Sequence, residues 1–291
     1  MDLGGTGTGL VTGTRTAPPR LFLGLLDDAA IFPPGNVALP DAVRAHQDRR
    51  SSPLAPLLGP FICSLPRWEE LTAALGAGPP LPVALTVPGG AQDVPAAVGR
   101  ARAEPRVELQ ALEVPASADR LAELADTVAR QVPATVHTYV ELPWADVTAA
   151  AVATLVGAGL RLKVRTGGLV AAAFPDEPQL AAVLDAAVRG GLAFKLTAGL
   201  HDPVRHRDPT TGFEHHGYLN VLLATARALD GGDVAAALAD HDGVRVAAAV
   251  AGIDDPLAER VRHHFVSFGT CSITEPVDGL LHHGLLPEDP R

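Results

Sequence analysis

Short apolar runs recur along the chain, each ends in polar, glycine or proline residues, and each is followed by a segment with helical spacing. The runs fall at Leu21–Leu26, Leu57–Cys63, Leu81–Val87, Val107–Leu112, Thr135–Val140, Leu160–Thr166, Leu192–Ala198 and Phe265–Gly269. Helical patterns follow them, among them Arg67–Leu75, Ala91–Arg102, Glu177–Arg189 and Tyr218–Leu229. Alternation of this kind marks parallel βαβ units. Eight units account for almost the whole chain, so the expected fold class is α/β: a (β/α)8 TIM barrel, one domain over 20–291. The segment Asp233–Pro256 is surplus to the eight units and is expected to add one or two helices before strand eight. The rival is an open doubly wound sheet, which often has a glycine-rich phosphate loop after its first strand. Asp27-Asp28-Ala29-Ala30-Ile31-Phe32-Pro33-Pro34 stands in that place instead.

Residues 1–19, rich in glycine and threonine, read as a flexible leader. They lack the basic region and apolar core of a signal peptide. No run approaches the roughly 18 apolar residues of a membrane span. A cytoplasmic location is expected by elimination. The chain has 291 residues, 47% of them hydrophobic but only 4% aromatic, so alanine, valine and leucine must carry the core. A formal charge of −10 argues against nonspecific nucleic-acid binding and against docking on an anionic membrane. Two distant cysteines, Cys63 and Cys271, make no disulfide scaffold and read as packed thiols.

In a barrel the site forms at the carboxyl ends of several strands. That rule selects Glu113 after strand four, Glu141 after strand five, Lys163 on strand six and Lys195 on strand seven. Both lysines sit in apolar strands, LRLKVRTGG and LAFKLTAGLH, where a charge is costly unless paired or functional. Strand alternation puts Arg161, Lys163 and Arg165 on one face. Whether that face points inward decides between a site and a snorkelling surface lysine. The loop after strand seven is rich in histidine, and His201 joins the two lysines and two glutamates as a catalytic candidate. Arg165 and Arg205 are suited to hold a carboxylate or phosphate. Asp28, Thr166, Gly167, Thr197, His216, Asn220 and Ser272 complete the substrate-binding candidates. His263–His264 and His282–His283 are expected on helix surfaces.

Strands six and seven resemble the matching region of the deoxyribose-phosphate aldolases. The residues concerned are Lys163-Val164-Arg165-Thr166-Gly167 and Lys195-Leu196-Thr197-Ala198-Gly199. The first unit, Leu25-Leu26-Asp27-Asp28 leading to Pro33-Pro34, is faintly similar to that family's opening strand. The resemblance implies a class I aldolase barrel with a Schiff-base lysine on strand six and a tuning lysine on strand seven. Arg165 stands where that family has a small residue. The stretches TAGLH and FGTCS are also similar to a group of bacterial barrel proteins without assigned activity.

The leading reading is a lyase on a small anionic carbonyl compound, with Lys163 or Lys195 forming the imine. It needs no cofactor. A metal-assisted isomerase, lyase or hydrolase stays open, with Asp28, Glu113, Glu141 and loop histidines binding a divalent metal. So does a noncatalytic ligand-binding barrel whose lysines and glutamates form a structural ion network. Barrels often self-associate, so a homo-oligomer is an open partner.

Overall fold

The computed structural model describes residues 17–286, so the leader expected over 1–19 lies outside the described residues apart from its last three positions. Eight parallel strands close into a barrel: β1 Leu26–Asp28, β2 Leu58–Ser64, β3 Leu81–Thr86, β4 Val107–Pro115, β5 His137–Glu141, β6 Arg161–Arg165, β7 Phe194–Thr197 and β8 Phe265–Thr270. Each strand pairs with its sequence neighbours in the barrel, and β8 closes onto β1. The architecture is the expected (β/α)8 TIM barrel. The helices are α1 Leu39–Arg50, α2 Trp68–Ala74, α3 Val94–Ala103, α4 Leu121–Gln131, α5 Ala149–Gly157, α6 Glu177–Arg189, α7 Tyr218–Asp230, α8 Val234–Ala239, α9 Gly243–Ala251, α10 Asp255–His264 and α11 Thr274–His282. The surplus segment before the last strand forms α8 and α9 and runs into α10.

Local chemistry sets these boundaries. Asp176 caps α6 by accepting from Gln179 N, while the Gln179 side chain accepts from Asp176 N, which satisfies two backbone donors reciprocally. Asp233, Asp242 and Asp254 cap α8, α9 and α10 in the same acceptor role. Among the described residues no helix is long and apolar enough to cross a membrane.

The first strand departs from its expected place. Arg20–Phe22 form a 3-10 turn, Gly24 has φ of 60°, and the strand covers only Leu26–Asp28. In β4 the pairing runs on to Pro115, which places Glu113 inside the strand rather than after it. His264 is buried and its ring meets Leu192 O at 3.1 Å, so it is no surface residue. His263 and His282 are exposed as expected.

Two apolar regions result. Outward-facing strand residues such as Leu112, Val140, Leu162, Val164 and Leu196 pack under the helices in one continuous core. Inside the barrel, Ala29, Ile62, Ala84, Ala111 and Tyr139 form a smaller cluster. The alanines leave room for the Tyr139 ring. The other half of the interior is ionic, and it holds the candidate site.

Candidate functional site

Register lines up the inward side chains. Glu141 lies beside Lys163, Lys163 beside Lys195, and Lys195 beside Ser267 across β5, β6, β7 and β8. Glu113 projects from β4 beside Tyr139, and Asp27 from β1 beside Gly269. The face shared by Arg161, Lys163 and Arg165 is therefore the inner one.

These groups form a chain of alternating charge. Lys195 Nζ donates to Asp27 Oδ2, and to Glu113 Oε1 at 2.6 Å. Lys163 Nζ donates to Glu113 Oε2 at 2.6 Å and pairs with Glu141 Oε2 at 2.8 Å. Ser267 donates to Asp27 Oδ2 at 2.7 Å. The Tyr139 ring lies with its centroid 5.3 Å from Lys195 Nζ, and Arg161 donates to the Tyr139 hydroxyl at 3.0 Å. Two carboxylates and one aromatic face thus surround the Lys195 ammonium.

The two lysines differ in setting. Lys195 is buried at 1% exposure. Burial works against its charge, but Asp27 and Glu113 outweigh that and raise its pKa above the ordinary lysine value. Lys195 is a locked ammonium. Lys163 is also buried, at 5% exposure, but one of its two carboxylate partners, Glu141, has a side chain that is 26% exposed. Burial pushes Glu113 upward, yet the two ammonium groups prevail and hold its carboxyl at about 2. Asp27 is different: burial dominates and raises its carboxyl above the ordinary value, against the pull of Lys195 and Ser267. Its Oδ1 is buried with no hydrogen-bond partner among the described residues. Gly59 makes that position fit, since a Cβ there would stand 2.0 Å from Asp27 Oδ1.

A cleft of about 480 Å³ opens beside this network. Glu141 belongs to both, so the cleft meets the ion chain at Glu141, with Lys163 Nζ 2.8 Å behind it. Arg165, Trp144 and Gly167 also line it. Arg165 is exposed, and its guanidinium makes no hydrogen bond or ion pair among the described residues.

Other candidates stand elsewhere. Thr166 donates to Ala198 O at 2.6 Å and ties the ends of β6 and β7 together. Ala198 there has φ of 63°, a left-handed conformation that strains a residue with a Cβ. Thr197 faces inward against Gly269. Asp28 faces out of the barrel, where its Oδ2 meets His46 Nδ1 at 3.0 Å and Arg49 Nη1 at 3.2 Å. Ser272 accepts from Glu275 N at 3.3 Å and contacts the Thr274 hydroxyl at the start of α11.

Arg205, His216 and Asn220 form a buried latch for the loop after β7. Arg205 pairs with Glu177 at 2.8 Å, and its backbone N donates to Asn220 Oδ1. His216 Nε2 meets Pro175 O at 2.8 Å, which makes that nitrogen the donor and leaves Nδ1 to accept from Arg205 at 3.2 Å. Burial lowers the His216 pKa to about 4. Arg205 is therefore committed to a protein carboxylate rather than turned to a ligand.

His201 is not joined to the lysine network. Its Nδ1 lies 3.0 Å from Glu275 Oε2, and Cys271 Sγ lies 3.7 Å from Nδ1 and 3.8 Å from Nε2. A sulfur equidistant from both ring nitrogens is not aimed along either lone pair. Burial raises the Cys271 pKa, which disfavours the thiolate. Both cysteines are free thiols. Among the described residues no group of three or more His, Cys, Asp or Glu side chains has a metal-holding arrangement. Glu113 and Glu141 face ammonium groups instead.

Asp27 lies at a strand end as the barrel rule expects, whereas Ser267, Tyr139 and Trp144 belong to this region without being marked by that rule. One signal was present in the chain itself. It contains two lysines, Lys163 and Lys195, and every other cationic side chain among its 23 lysines and arginines is an arginine. Both lysines lie in this network.

No protein-family model matches the chain, and no curated protein matches it. The barrel architecture is one that carries small-molecule enzymes of many chemistries, so the function must be argued from the site.

Proposed function

We propose that the protein is a small-molecule enzyme that acts on an anionic carbonyl compound through an imine on Lys163, in lyase chemistry of the aldolase kind. The carrying observation is the placement of the chain's two lysines. A purely structural network is well served by arginine, which stays charged and pairs with carboxylates in fixed geometry. Arginine is the cation everywhere else in this chain. Lysine can release its proton and attack a carbonyl, which arginine cannot do.

Lys195 does not serve as the nucleophile, because Asp27 and Glu113 outweigh the effect of burial and lock it as a cation, and neither of them lines the cleft. It fixes Glu113, and Glu113 in turn positions Lys163. Glu141, 2.8 Å from Lys163 Nζ and partly exposed to the cleft, carries the protons. Lys163 gives one proton to Glu141 and adds to the carbonyl carbon. Glu141 protonates the resulting alkoxide, takes a second proton from nitrogen, and returns it as the hydroxyl departs. Of three ammonium protons, one stays on the iminium nitrogen and two leave in water. In the cleavage direction the hydroxyl on the carbon two bonds from the iminium carbon gives its proton to Glu141 and becomes the carbonyl of the first product, while the breaking carbon–carbon bond delivers its electron pair to the iminium as an enamine. Glu141 returns that proton to the enamine carbon, and water adds to the iminium to release the second product and restore Lys163. Arg165 holds the substrate's anionic group at the mouth.

The test is borohydride trapping with a panel of aldehydes and oxo acids, read by peptide mass mapping. An adduct on Lys163 supports the reading. Complete absence of lysine adducts across the panel contradicts it.

A further inference from the structure

The cleft beside Lys163 is lined in a way that selects among carbonyl compounds. Its wall is apolar over Pro115, Leu142, Pro143, Trp144 and Ala173. Two charged side chains line it, Glu141 and Arg165. Glu141 already faces the Lys163 ammonium, which leaves Arg165 as the uncompensated charge. A cation without a carboxylate partner among the described residues and an otherwise apolar lining call for an anion attached to an apolar body.

We infer that the substrate is an apolar oxo acid, with its carboxylate on Arg165 and its alkyl or aryl body against Trp144. A polyhydroxylated sugar phosphate fits poorly, because each buried hydroxyl needs a partner that this wall does not supply. The cleft volume of about 480 Å³ lies within the range of small-molecule sites. The loop between β6 and α6 borders the cleft, since Gly167 and Ala173 both line it. The inference rests on the proposed carbonyl chemistry only for where the carbonyl group points. The seating itself depends on the cleft.

The experiment is calorimetric titration of the full chain, without reductant, with 2-oxobutanoate, 2-oxohexanoate and 2-oxooctanoate. 4-Phenyl-2-oxobutanoate, 2-octanone and erythrose 4-phosphate, a sugar phosphate with two free hydroxyls, complete the set. Affinity should tighten by roughly fourfold per added methylene until the wall is covered. The phenyl oxo acid should bind at least ~10-fold more tightly than the sugar phosphate. Arg165→Gln should abolish the preference for the acid over 2-octanone and keep the chain-length increment. Trp144→Ala should shrink the increment and keep the acid preference, with Trp144→Phe restoring most of it. A flat chain-length series, a sugar phosphate that binds as tightly, or an unchanged Arg165→Gln variant overturns the inference. Binding in the expected order with no borohydride adduct supports this seating and removes the imine chemistry alone. An adduct on Lys163 with a flat series does the reverse.

Discussion

Replacing Lys195 by methionine keeps most of the side-chain volume and deletes one buried charge. The two carboxylates it held, Asp27 and Glu113, are 2% exposed each, so neither can turn to water. Breaking a buried pair in this way costs about 3–5 kcal/mol. For a chain of this size that corresponds to a fall in Tm of about 6–15 °C. The pH dependence separates this cause from simple loss of packing. In the wild type, Glu113 is held at about 2 against an ordinary 4.5. A depressed carboxyl stabilises the fold above its unfolded pKa, and that stability is lost as pH falls from 4.5 through about 2. The shift is worth about 3 kcal/mol in order of magnitude. With Lys195 absent, Glu113 and Asp27 face each other and one of them takes a proton. The variant's deficit should then be large at pH 7 and shrink toward pH 3. Thermal denaturation followed by circular dichroism across this range measures both effects. A Tm within ~2 °C of wild type at pH 7, or a deficit that does not change with pH, refutes the locked-ammonium argument.

Gly59→Ala forces a methyl into the position beside Asp27 Oδ1 and should destabilise by about 1–3 kcal/mol in thermal melts; an unchanged Tm contradicts the close approach. Ala198→Gly relieves the left-handed strain between β7 and its loop and should stabilise by about 1 kcal/mol, with a loss of that size counting against strain there. His216 is neutral in the fold at pH values where the unfolded chain already protonates it, so stability falls as pH drops from 6.5 through about 4. The full shift amounts to about 3 kcal/mol, and His216→Gln should flatten denaturant-derived stability in that window. A slope equal to the wild type removes His216 as its source.

The fold was legible because strands buried on both faces read as continuous apolar runs. Seven of the eight runs lie close to the observed strands. The first does not, because β1 carries two aspartates where an apolar run would mark a strand. Asp27 turns to the ionic interior and Asp28 to His46 and Arg49, so opposite faces of one short strand both demand charge. The meeting of Glu113, Glu141, Lys163 and Lys195 followed from the rule of strand ends. The role of Arg205, His216 and Asn220 could not be read, because their partners Glu177, Pro175 and Ala237 come from other elements. The cleft beside Trp144 is likewise a product of three loops and leaves no local pattern.

The two lysines divide their work: Lys163, paired with the cleft-lining Glu141, is the reactive amine, and Lys195, held by Asp27 and Glu113, is a locked cation. Because the chain has no other lysine, an amine-directed reagent reports on these two alone besides the α-amino group. The decisive measurement is timed labelling of the native protein with trinitrobenzenesulfonate, mapped by peptide mass spectrometry. Labelling of Lys163, with Lys195 unmodified until denaturant is added, is the expected result. Labelling of Lys195 at a rate equal to or above that of Lys163 in the native protein contradicts the account.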